Sequence, residues 1–151
     1  MFQGFNESTV KYFEAIRREN SKINYKANEQ YYFEGVKEPL EGYRYGMSIY
    51  KPEPKDMEKI REYFWDNKYS AIDAVKRFNK AGLLELQGDV YKRDHYPEAD
   101  AVLKPILERK RLAFVKESTL DEAFFSRKLL DNMMAAYDSV TDIFQLMKEA
   151  L

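Results

Sequence analysis

The sequence predicts an α+β fold: a mostly helical single domain over 1–151, with a small antiparallel or mixed sheet and a long C-terminal helix. Three observations predict it. Apolar side chains recur at three- and four-residue steps along much of the chain, as in helices that bury one face. Tyr43, Tyr45, Met47 and Ile49 alternate with Arg44, Gly46, Ser48 and Tyr50, the period of two that marks a half-buried strand. A chain of 151 residues can bury one sizeable core but hardly two, and no linker, repeat or low-complexity tract divides it.

Taken in order, Asn6 caps a helix over 7–19 carrying Val10, Phe13 and Ile16 at helical spacing. A second helix is expected from Ile23 to Val36, with Ala27, Tyr31 and Glu34 on one face and Pro39 ending it. The strand at 43–50 comes next. Pro54 suits a helix's first turn, and Met57, Ile60, Tyr63 and Phe64 continue it toward Asn67. Ser70 is the expected cap of a further helix through Ile72, Val75 and Phe78, with Gly82 where a left-handed residue ends it. Residues 84–93 read as loop with partial strand around a Gln87-Gly88-Asp89 turn. Ala99, Val102, Leu103, Ile106 and Leu107 form a helical face in which Pro105 must kink the helix or start a new turn. Leu112, Phe114 and Val115 suit a short strand ending near Lys116, with Ser118 or Thr119 capping the next segment. The longest helix comes last, capped at Ser126, with Leu130, Met133, Met134, Tyr137, Val140, Phe144, Met147 and Leu151 on its buried face.

Composition excludes several chemistries. With no cysteine there is no thiolate nucleophile, Cys-ligated zinc or disulfide, and one histidine cannot build an imidazole-rich metal site. Basic residues number 25 and acidic residues 26, so the electrostatic footprint of a nucleic-acid binder is missing. No basic segment leads into an apolar one at MFQGFNEST, and no run of about 18 apolar residues occurs, so the expected compartment is the cytoplasm, without membrane association. The glycines stand singly, with no phosphate-cradling loop, and no cofactor is expected.

Titratable side chains gather in Tyr91-Lys92-Arg93-Asp94-His95-Tyr96. Asp94 could orient His95 for proton transfer while Lys92 and Arg93 attract an anion, which makes Asp94 and His95 the catalytic candidates. An adjacent pair of this kind on a loop is more often simply solvated. A second basic group, Glu108-Arg109-Lys110-Arg111, lies where cations favour a helix C-terminus and could complete a phosphate or carboxylate pocket. Glu34 and Glu38, four apart, lack the further acidic or histidine ligands of a metal site, so no metal is expected. Many of the twelve tyrosines crowd the first third, and tyrosines that need a partner for the hydroxyl tend to rim pockets and interfaces.

The opening MFQGFNESTVKYFEAIRREN, followed by Asn20, Lys22, Tyr25, Ala27, Asn28, Tyr31, Val36, Pro39 and Leu40, resembles the start of domain-of-unknown-function family 2461, conserved hypothetical proteins of bacteria and fungi. Met47 to Pro54, then Met57, Ile60 and Arg61, are similar to that family's strand, Pro-x-Pro and helix. Gly88 to Arg93, Tyr96 to Asp100, Lys110 to Lys116 and the closing helix keep the family's order. Asn24 stands where the family carries tryptophan, and the sheet segment expected between Pro39-Leu40 and Tyr45 is absent, which implies a shortened member. The resemblance implies a fold and no established reaction.

The residues therefore support a non-catalytic module binding a partner protein or a small anionic ligand through the concave side of the sheet, with Arg44, Tyr50, Lys92, Arg93 and Arg111 as ligand residues. The alternative is an enzyme using Asp94 and His95 on a phosphate- or carboxylate-bearing substrate. A shortened sheet would leave strand 43–50 with an open edge, and a homodimer is the commonest closed way to cover one.

Overall fold

The computed structural model describes residues 31–37, 41–48 and 53–151. The expected helix at 7–19 and the first part of the one expected at 23–36 lie outside the described residues, as do Ile49 and Tyr50. Strands β1 (Tyr31–Val36) and β2 (Gly42–Ser48) are followed by helices α1 (Pro54–Asp66) and α2 (Lys68–Ala81). Then come strand β3 (Glu85–Gln87), the single-turn helix α3 (Lys104–Leu107), strand β4 (Ala113–Thr119) and the long helix α4 (Lys128–Ala150). The fold is α+β, with helix outweighing strand among the described residues and a sheet in which every neighbouring pair is antiparallel, in the order β1-β2-β4-β3.

The alternation in β2 aims Tyr43, Tyr45 and Met47 at the core and Arg44 away from it. Helices cover that inner face. Phe114 of β4 meets Phe78 of α2 at 5.2 Å and Phe144 of α4 at 6.1 Å, while Tyr45 meets Tyr137 of α4 edge-on. Helix α4 packs on both α1 and α2, and buries Leu129, Ala136, Val140, Ile143, Phe144 and Met147. Its Tyr137 hydroxyl donates to the Tyr32 carbonyl at 3.1 Å, tying the helix to β1.

Several expectations are corrected. Tyr31 to Val36 is a strand and not the end of a helix. Its aromatic and β-branched residues favour extended backbone, and Phe33 stacks on Tyr43 and Phe124 while Glu34 faces outward to Arg44. Strand β2 has no open edge, because β1 flanks it on one side and β4 on the other. Ser70 is interior to α2, which starts at Lys68 directly after an Asn67 shared with the end of α1. Pro105 begins a new turn, so the face expected across 99–107 contracts to α3, and residues 97–103 are turns. Ser118 and Thr119 belong to β4, and the next turn is held by Asp121, whose carboxylate accepts the Phe124 N–H. On α4, Leu130, Met134 and Leu151 are 40%, 61% and 55% exposed, because the buried stripe starts from Leu129. Ser126 does accept the Lys128 N–H, as a residue capping the first turn would. The turn at Gly88 stands between β3 and an isolated bridge from Val90 to Arg109.

Candidate functional site

Two neighbouring backbone stretches are laced together beside α1. The Tyr91 N–H donates to the Glu108 carbonyl at 2.8 Å, and the Lys110 N–H donates to the Asp89 carbonyl at 2.7 Å. This brings Tyr91 and Lys110 side by side although 19 positions separate them. Helix α1 supplies Arg61, one residue off the buried stripe of Met57, Ile60 and Phe64. Trp65, one turn on, packs against Tyr96 with ring centroids 5.3 Å apart.

Cations converge on the Tyr91 ring. The Arg61 guanidinium carbon lies 4.8 Å from its centroid, the Lys110 Nζ lies 5.9 Å away, and the His95 ring meets it edge-on at 5.3 Å. Each such cation–ring contact is worth about 0.5–2 kcal/mol, depending on how much water is excluded. Neither Arg61 nor Lys110 forms an ion pair among the described residues. The Arg61 Nη1 is sealed from solvent and has no acceptor. A buried donor left unpaired costs about 1–3 kcal/mol, and more on a charged group, a cost that the contact with the Tyr91 ring partly offsets.

Asp94 does not serve His95. One of its oxygens takes a 2.6 Å contact from the Lys104 Nζ, and the other accepts the Tyr96 N–H at 3.0 Å. The Lys104 hydrogen bond holds the Asp94 carboxyl below the ordinary carboxylate range, with the Tyr96 N–H and the nearby charges of Lys104 and His95 acting in the same direction. His95 is exposed, and its ring turns to Tyr91. Asp94 therefore does not orient the His95 ring in this arrangement.

The remaining expected ligand residues are scattered. Arg44 lies on the sheet face opposite the helices and is neutralised by Glu34. It stands opposite Glu117 in the register, six positions along the chain from Arg111, which precedes β4. Lys92 and Arg93 are exposed, without ion pairs among the described residues. Tyr50 lies outside the described residues. Among those described, no group of three or more acidic or histidine side chains could hold a metal ion, and no helix is long and apolar enough to cross a membrane. Sequence reasoning gathered Tyr91, His95 and Lys110 into its two basic segments but passed over Arg61, whose only local signal is its place beside Ile60 at the edge of the apolar stripe.

The fold and this cluster together define an α+β protein with a helical layer on one sheet face and a cation-flanked aromatic at one end. The family model described as Conserved hypothetical protein (DUF2461) matches residues 38–145, and the chain belongs to that family. Neither the curated proteins nor the solved structures compared with it give a match.

Proposed function

We propose that the protein, acting as one α+β unit over 1–151 in the cytoplasm, is a non-catalytic module that binds a small anionic ligand between Arg61 and Lys110, beside Tyr91. The observation that carries this reading is the meeting of two cations, Arg61 and Lys110, over the Tyr91 ring, with no ion pair among the described residues to neutralise either. A phosphate or carboxylate neutralises both, and a planar guanidinium binds either one through paired hydrogen bonds. The basic loop residues Lys92, Arg93 and Arg111 would add attraction at longer range.

Thermal unfolding against phosphate, nucleotides and polycarboxylates tests the proposal, since a ligand that binds only the folded state raises its stability by mass action. The expected result is a rise in melting temperature that disappears in both Arg61→Met and Lys110→Met. A partner protein is the second reading. Phe125, Leu130 and Met134, exposed near the start of α4, are the surface that favours it, and a panel without any shift would leave it standing. An enzyme working through Asp94 and His95 is the third reading, and it requires Asp94 to leave Lys104 when substrate binds.

A further inference from the structure

We propose that the cavity between α2, β3 and α3 is a second site, separate from the Arg61 cluster, for a monocarboxylate with an apolar tail such as a medium-chain fatty acid. The cavity measures about 390 Å³, inside the range of roughly 300–1,000 Å³ that small-molecule sites occupy. Phe78, Leu84, Leu86, Val102 and Ile106 supply the apolar part of its walls, and Asn79 and Glu85 supply polar groups beside them. Arg109 supplies the cation among the lining residues.

Arg109 is oriented before any ligand arrives. Its Nη1 donates to the Gly88 carbonyl at 2.8 Å, and its backbone is fixed by the bridge to Val90. Gly88 can present that carbonyl because its φ is +131°, and a Cβ there would fall 2.3 Å from the Arg111 carbonyl oxygen. Arg109 has no ion pair among the described residues, and its guanidinium keeps N–H donors beyond the one given to Gly88. A pre-positioned guanidinium with donors to spare, beside a group of apolar side chains, matches a carboxylate on a hydrocarbon body. Glu85, also on the lining, repels any anion, so the carboxylate has to sit on the Arg109 side of the cavity and a second negative charge is disfavoured further.

Calorimetric titration of the intact protein with octanoate, octylamine and octanol tests the assignment. Octanoate binds once per chain, and the amine and the alcohol bind at least about tenfold more weakly, the difference of one lost charge-assisted hydrogen bond. Arg109→Gln weakens octanoate by a similar factor, Val102→Phe fills the cavity and abolishes its binding, and Arg61→Met leaves it unchanged. Octanol binding as well as octanoate, or full octanoate affinity in a folded Arg109→Gln protein, overturns the proposal. If Arg109→Gln does not fold, undiminished octanoate binding by Val102→Phe overturns it equally.

Discussion

Tyr43 shows how one side chain joins packing to titration. Its ring stacks on Phe33 and lies 5.2 Å from Phe124, and its hydroxyl donates to Asp121 at 3.0 Å, the same carboxylate oxygen that accepts the Phe124 N–H. Burial, and after it the Asp121 carboxylate, pushes the phenol up to about 12. Burial does the same for Tyr32, reinforced by Glu34, also to about 12. An unfolded tyrosine ionises near 10, so between about pH 10 and 12 the folded state holds more protons and stability falls as pH rises. Ultraviolet absorbance of tyrosinate should show late-ionising groups, Tyr32 and Tyr43 among them, and Tyr43→Phe should remove one at a cost of about 0.5–1.5 kcal/mol. Asp94 behaves in the opposite sense. Its lowered carboxyl contributes stability above the ordinary aspartate range, and that contribution is lost as pH falls through the folded-state value. Urea midpoints of the parent and Asp94→Asn should therefore differ at neutral pH and draw together as pH falls through the folded-state value. The adjacency of Asp94 and His95 was legible in the sequence, but the lysine ten residues later that claims Asp94 was not, because a turn and not a periodic element brings it there.

At the scale of elements, two glycines serve different ends. Gly82 closes α2 in the left-handed conformation, φ +61°, with open space around its missing side chain. Gly82→Ala should cost about 1–2 kcal/mol, the strain of an L residue in that region. Gly46 sits in the middle of β2, where a Cβ would meet the Phe114 carbonyl oxygen 1.9 Å away. Gly46→Ala has to part β2 from β4, and its expected loss exceeds about 3 kcal/mol, so urea unfolding ranks the two variants clearly. Gly82 was legible because a helix-ending glycine follows a clean apolar period. Gly46 looked like one more outward residue of an alternating strand, since nothing in a single strand reveals how near its neighbour lies. Tyr31 to Val36 misled for a related reason. Over six residues the periods of helix and strand overlap, and the sheet partner that decides between them is supplied by another part of the chain.

For the whole molecule, the sheet has β1 and β3 at its edges among the described residues, and that moves the proposed dimer contact. Strand β2, paired on both sides, offers no backbone to another chain, whereas β3 is only three residues long. Strand β1 is the longer edge, partly blunted by the outward Glu34–Arg44 pair. A symmetric dimer through β1 should give about twice the 18.0 kDa chain mass by light scattering at tens of micromolar, and the monomer mass rules it out. The α+β class and the long last helix were legible because they rest on composition and periodicity over many residues. The Arg61–Tyr91–Lys110 cluster was not, because it joins three separate stretches of chain that only the packed fold brings together.

The pairing of β2 with β4 also governs how the protein folds. Gly42 lies opposite Thr119, so the centre of the sheet cannot close until α1, α2 and the loop after β3 have been traversed. Strands β1 and β2 are joined by only the stretch between Val36 and Gly42, and a pairing that local can form early, on the order of microseconds. The other half of the sheet has to wait for a distant stretch to return, which places refolding with the slower, non-local topologies and leaves one side of β2 unpaired in the meantime. Gly46, whose bare backbone lets Phe114 approach, lies in that half of the sheet whose partner is far away in the chain.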